Sequence, residues 1–92
     1  MTQTYWIEAG RSMLLPDGYR ITVKREPHPG GGGVGWKEFK TEREFRDELV
    51  RLGENERSAR DIASAVDRWE SVQPIPRVLE DDVVASYNLP PA

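Results

Sequence analysis

Residues 19–26, which read YRITVKRE, alternate apolar and polar side chains over six positions. A period of two predicts a β-strand with unlike faces, because successive side chains of a strand point to opposite sides of the sheet. The side chains expected to face the core are Tyr19, Ile21 and Val23. Those expected on the opposite face are Arg20, Thr22 and Lys24. The pattern therefore predicts a strand that packs on a core with one face only.

Two further strands are predicted around this one. Residues 5–9 (YWIEA) are rich in strand-forming residues and precede Gly10. Residues 15–18 (LPDG) indicate a turn, because proline presets the backbone and Asp-Gly tolerates tight geometry. Residues 36–39 are predicted to form a further short strand. We expect an antiparallel sheet of two to three strands within residues 4–40.

The segment 27–35, PHPGGGGVG, interrupts this pattern. Its prolines remove backbone donors and its glycines lose the most entropy on ordering, so we expect a mobile loop that is dispensable for folding. A phosphate-binding glycine loop requires a helix immediately after it, and here the strand 36–39 intervenes. His28, the single histidine of the chain, lacks the fixed scaffold of a catalytic or metal-binding residue and is expected to be an exposed, passive loop residue.

A first helix is predicted over residues 42–52. Thr41 followed by Glu44 forms a capping box at its start, and Gly53 supplies the left-handed stop. Its apolar residues recur at the spacing of one helical face. They are Phe45, Leu49 and Leu52.

A second helix is predicted over residues 57–70, beginning at Asn55 or Ser58. Its apolar residues have the same spacing, and three alanines allow close helix packing. We expect the two helices to form an αα-hairpin that covers the inward face of the sheet. The expected core cluster is Ile21, Val23, Phe45, Leu49, Ile62, Val66 and Trp69.

The sequence thus predicts one α+β domain over residues 1–92, divided into a β-hairpin region (1–40), a helical hairpin (41–70) and a C-terminal tail (71–92). Pro74 and Pro76 end the second helix. The tail is too apolar to remain in water, so we expect Leu79, Val83 and Tyr87 to dock on the sheet or on another chain. Their spacing favours a short helix, although residues 82–87 also fit a strand.

Composition excludes several functional classes. The 92 residues contain no cysteine, which excludes disulfides, thiolate metal sites and cysteine nucleophiles within them. The start, MTQTYW, has neither a basic nor an apolar run, so we expect no signal peptide and a cytoplasmic, bacterial or phage protein. No arrangement of nucleophile, base and orienting group is recognisable, and no cofactor motif is present. We therefore expect a protein that is not an enzyme and that binds neither metal nor cofactor.

The helices resemble a helix-turn-helix only in outline. Residues 41–70 carry six basic and nine acidic side chains, so a second helix in this stretch has no net positive charge for DNA phosphates. The acidic run 80–82 is expected to be solvated charge at a helix start, because adjacent acids on a helix point in different directions. Neither the helices within residues 41–70 nor the acidic run therefore indicates a functional site.

The face of the sheet opposite the core is the candidate binding surface. By alternation, two tryptophans flank a basic strip on it. The residues are Trp6, Arg20, Lys24 and Trp36. Such a face suits a protein partner, because Trp and Arg are enriched at binding hot spots. It also suits single-stranded nucleic acid, which stacks on aromatic side chains. Alternatively, the tail folds back and buries both tryptophans. We expect a non-catalytic protein-binding or accessory module whose partner is either another protein or, in a homo-oligomer, a second copy of the chain. Nucleic-acid binding is the alternative, and no membrane contact is expected.

Overall fold

The computed structural model describes residues 2–25 and 33–89, with side chains from residue 4 onward. It is an α+β structure, which confirms the predicted class. The elements in chain order are β1 (Thr2–Arg11), β2 (Tyr19–Arg25), β3 (Val34–Phe39), α1 (Glu42–Arg51), α2 (Glu56–Asp67), β4 (Ile75–Glu80) and α3 (Asp81–Ala85). The predictions for His28 and for the glycine run at 30–32 lie outside the described residues. The loop predicted to extend to Gly35 is wrong at its end, because Val34 and Gly35 already belong to β3.

The four strands form one antiparallel sheet in the order β3-β2-β1-β4. The expectation of two to three strands is therefore wrong, as is the helix predicted to begin near Leu79, because residues 75–80 form a strand beside β1. Of the described tail residues, 71–89, only 81–85 are helical. Pro76 is compatible with the position of β4 at the edge of the sheet. An edge strand has a neighbour on one side only, so the backbone N–H that proline lacks is not needed on the open side.

The core lies between one face of the sheet and the αα-hairpin. Alternate residues of β2 are buried, as the period of two predicts. The buried hydrophobic residues are Tyr5, Ile7, Tyr19, Ile21, Val23, Phe45, Leu49, Leu52, Ala59, Ala63, Val66, Leu79, Val84 and Tyr87. Ile62 packs against this cluster while remaining partly exposed. The predicted core therefore forms, with one exception.

That exception is Trp69, whose side chain is 78% exposed. The prediction extended the second helix to residue 70, which would turn Trp69 inward with Val66. The helix instead ends at Asp67, and Trp69 adopts a positive φ of 60°. Helical spacing ceases to apply beyond the last turn, so the indole points away from the core.

α1 starts at its predicted cap, whereas α2 starts at the first of its two predicted positions, Asn55, and not at Ser58. The Thr41 side chain accepts a hydrogen bond from the backbone of Glu44 at 3.2 Å, as expected for a capping box. Asn55 caps α2 by accepting from the backbone of Ser58 at 2.7 Å. Gly53, with φ of 109°, ends α1 in the left-handed conformation. The short link from Gly53 to Asn55 thus connects the end of α1 to the start of α2 and forms the turn of the αα-hairpin.

The C-terminal segment closes the fold by packing on its own sheet. Leu79, Val84 and Tyr87 join the core. A Cβ atom placed on Gly35 of β3 would lie 2.0 Å from the carbonyl oxygen of Tyr87, so the segment rests directly on that glycine. The Tyr87 hydroxyl donates to Glu48 of α1 at 2.5 Å. The segment is therefore held by sheet, core and helix together.

Candidate interaction surface on the open face of the sheet

One face of the sheet points away from both α1 and α2. We call it the open face. Its side chains, as set by strand register, are Thr4, Trp6, Glu8, Arg20, Thr22, Lys24, Val34, Trp36, Glu38, Pro76 and Val78. Within residues 2–25 and 33–89, the packed helices lie on the other side, against the buried residues of the same strands.

The four residues singled out in the sequence all lie on the open face. Register pairs Trp6 with Lys24, and Trp36 with Thr22. The Arg20 guanidinium lies 4.7 Å from the centroid of the Trp36 ring, within the range of a cation–π contact. Trp36 is 49% exposed and Trp6 is half-buried. The expectation that the tail buries both tryptophans is not met for Trp36, whereas Pro74 of the tail lies beside Trp6 in one shallow groove.

The cations of the open face are matched by carboxylates on the same face. Lys24 Nζ lies 2.8 Å from Glu8 Oε2, and Arg20 Nε lies 3.8 Å from Glu38 Oε1. The alternation of the sequence placed Glu8 on this face. Neither Glu8 nor Glu38 was included among the candidate binding residues. The basic strip expected from the sequence is therefore a patch of mixed charge.

Within this patch, the Glu38 carboxylate is buried without hydrogen bonds from the described residues. Both of its carboxylate oxygens are buried, and neither has a hydrogen-bond donor within the described part of the chain. Arg20 Nε is likewise buried and unbonded. Buried polar atoms are nearly always hydrogen-bonded in folded proteins.

Two valines extend the apolar part of the open face beyond the tryptophans. Val34 lies at the start of β3, and Val78 on β4 is 64% exposed. Val78 was missed as a surface residue because its segment was interpreted as helical. The alternation Pro76, Val78, Glu80 along the sequence was the available signal.

The predicted docking residues of the tail lie on the opposite side. Leu79 and Tyr87 are buried in the core, and Val83 packs against it. Tyr87 and Arg51 both donate to the Glu48 carboxylate. Burial acts to raise the pKa of Glu48, but the hydrogen bonds from Arg51 and Tyr87 and the charge of Lys37 outweigh it and lower that pKa. This network supports the fold rather than the open face.

The remaining chemistry of the described residues is sparse. They contain no group of three or more His, Asp or Glu side chains arranged to hold a metal ion. None of the helices that they form has the length and apolar character needed to cross a membrane. The open face is thus the candidate site on geometry rather than on reactive groups.

Comparison with known proteins adds no further assignment, because no family model, no curated protein and no solved structure matches this chain.

Proposed function

We propose that this chain is a non-catalytic protein-binding module whose open face pairs with a second copy of itself. The observation that carries the proposal is a four-stranded face that leaves Trp36, Val34 and Val78 partly or largely exposed. Isolated exposed apolar residues are ordinary, but several on one face of a sheet favour an interaction surface. Trp and Arg in contact are typical of the residues that dominate binding energy.

Charge favours a second copy as the occupant. In a twofold pair the same patch lies on both sides of the interface, so it must be complementary to itself. The open face meets that requirement, because Lys24 and Arg20 lie beside Glu8 and Glu38. Lys24 and Glu8 are both partly exposed, so Lys24 of one copy can approach Glu8 of the other. A partner of a single charge sign would leave half of these groups unmatched.

Nucleic-acid binding is the weaker alternative. Affinity for a phosphate backbone comes from cations that replace bound counterions. Lys24 and Arg20 already have carboxylate neighbours at 2.8 and 3.8 Å, so a phosphate would first have to displace them. The exposed Trp36 ring could still stack on a base. The charges of the open face nevertheless favour protein.

Analytical ultracentrifugation of the parent and of Trp36→Ser tests the proposal. We expect a concentration-dependent dimer for the parent and a weaker or absent dimer for the variant. Val50→Ser is the matched control, because Val50 is an exposed apolar residue on α1, away from the open face. A parent that stays monomeric at the highest soluble concentration contradicts the second copy as occupant.

A labelled single-stranded oligonucleotide tests the alternative in parallel. Binding that requires Trp36 and weakens steeply with added salt would support nucleic acid instead. Dimerisation without oligonucleotide binding supports the proposal.

A further inference from the structure

A second surface lies at the end of the sheet where β1 leads into β2. Three large apolar side chains there are among the most exposed of the described residues: Met13 at 82%, Trp69 at 78% and Leu14 at 73%. They line one groove of about 250 Å³, which we call the end groove. The other residues lining it are Arg11, Ser12, Leu15, Pro16 and Asp17. That volume lies below the range of small-molecule sites and suits one or two inserted side chains.

The loop that exposes Met13 and Leu14 is held in place by hydrogen bonds. Ser12 Oγ accepts from the backbone of Leu14 at 3.1 Å and of Leu15 at 2.8 Å. The backbone of Ser12 donates to Gly18, and that of Gly18 donates to Leu15, both at 3.0 Å. The loop is thus preorganised with its apolar side chains in water, which lowers the entropic cost of binding.

Trp69 is held in an unfavourable backbone conformation on the other side of the groove. Its φ of 60° crowds the Cβ atom of any L-residue, and glycine is the usual residue there. The Arg11 guanidinium lies 5.6 Å from the centroid of the indole and is anchored to Asp67. The fold gains little from the indole itself, because it is largely exposed. Backbone strain at an exposed aromatic residue favours a role of that residue in binding rather than in the stability of the fold.

Charge at the rim indicates what the groove would take. Arg11 is paired with Asp67 and Arg68 with Glu70. Among the charged side chains described around the groove, Asp17 is the one with no ion pair in the structure. Arg11 donates to the backbone carbonyl of Asp17 at 3.0 Å but does not pair with its carboxylate, so this carboxylate is available to a further cation beside the apolar cleft.

We propose that the end groove binds a peptide segment in which a bulky apolar side chain stands next to a lysine or arginine. The apolar side chain packs between Leu14 and Trp69, and the neighbouring cation pairs with Asp17. This site is separate from the open face and does not depend on self-association. A dimer with an end groove on each copy would bind two such segments.

Selection from a phage-displayed library of random dodecapeptides against the full chain tests the proposal. We expect enriched peptides to share a bulky apolar residue beside Lys or Arg. Fluorescence anisotropy of the best peptide should show its Kd rising about tenfold or more with Leu14→Ser or Trp69→Gly, and about threefold with Asp17→Asn. Val50→Ser, on α1 and outside both the end groove and the open face, is the control and should leave the Kd unchanged.

Folding of the variants is checked by melting temperature. Trp69→Gly should melt no lower than the parent, because glycine relieves the left-handed strain, so a lost affinity would report the contact. Enriched peptides without a basic residue, equal binding to the parent and to Trp69→Gly, or no enrichment would each overturn the proposal. Leu14-dependent sedimentation with phosphatidylcholine vesicles would also overturn it, in favour of a lipid surface.

Discussion

The two long helices, α1 and α2, end in the same backbone geometry, but the residues at the end of α1 are more buried than those at the end of α2. At the end of α1, Gly53 donates to Val50 and the next residue donates to Leu49, both at 3.0 Å. At the end of α2, Trp69 donates to Val66 at 3.0 Å and the next residue donates to Ala65 at 2.9 Å. Both patterns are Schellman motifs with a left-handed residue after the cap. The first uses glycine, as the geometry favours, whereas the second uses tryptophan.

The residues that follow the two left-handed positions differ in the same way. Glu54, after Gly53, is buried and pairs with Arg77 of β4. Glu70, after Trp69, is exposed and pairs with Arg68, the residue that caps the end of α2. The end of α1 therefore joins the helical hairpin to the edge strand, and its residues suit the fold. Asp67, the last residue of α2, still contacts the sheet through Tyr19. Beyond Asp67, neither Trp69 nor Glu70 is buried, so these two residues are free to serve another purpose.

The largest expected effect is at the end of α1. Glu54→Ala should lower the free energy of unfolding by roughly 2–4 kcal/mol, because it leaves the partly buried Arg77 without its carboxylate. Urea denaturation followed by circular dichroism measures the change. The matched variant Glu70→Ala should give no measurable loss, since that pair is exposed to solvent. Equal losses from both variants would remove the distinction between the two ends.

A smaller effect is expected from exchanging the left-handed residues. Gly53→Ala should destabilise by about 1–2 kcal/mol, because φ of 109° is strained for any side chain and the added Cβ would lie 3.3 Å from Arg77. Trp69→Ala should change the free energy of unfolding by less than about 1 kcal/mol, because the indole is exposed. A loss of roughly 3–5 kcal/mol, as expected for a core tryptophan, would contradict the exposed position.

The smallest effect concerns the hydrogen bond from Tyr19 to Asp67, the last residue of α2, at 2.6 Å. Burial, together with this hydrogen bond, raises the pKa of Tyr19 from 10.0 to about 12. A raised pKa adds stability that is fully present below the unfolded value and is lost as pH rises through the folded value. Just above pH 10 the loss should stay within about 1 kcal/mol.

Comparing the parent with Tyr19→Phe isolates this contribution. Denaturation midpoints measured at a series of pH values above 10 should fall more steeply for the parent, because every ionisable group other than Tyr19 is common to both proteins. Parallel curves would mean that Tyr19 does not link α2 to the sheet through its proton.

The sequence was most informative where local pattern and tertiary packing agree. The alternation around Ile21 and the capping box at Thr41 each depend on neighbours within a few residues, and both appear in the structure. The end of α2 was missed because no glycine marks it. Pro74 was the first breaker in the sequence, seven residues beyond the last helical residue, Asp67. Nothing local shows that Trp69 leaves the helix.

The fourth strand was missed for a different reason. Residues 75–80 alternate inward and outward, but Pro76 lowered their resemblance to a strand. Their pairing with β1 depends on contacts across more than sixty residues of sequence, which no local pattern encodes. The same limit applies to the open face. Alternation placed Trp6 and Trp36 on one side, whereas the pairing of Arg20 with Glu38 required the register of two strands.

The adjacency of β1 and β4 has a consequence for how the protein is made. The two strands are first and last in the sequence, yet Tyr5 pairs with Arg77 in the middle of their ladder. A chain emerging from the ribosome can form the β1–β2 hairpin early, but the β1 edge stays unpaired until residues 75–80 have been synthesised. Until then that edge is a template for other nascent chains. Slower translation of residues 41–74 would therefore lengthen the period in which the chain is vulnerable to aggregation.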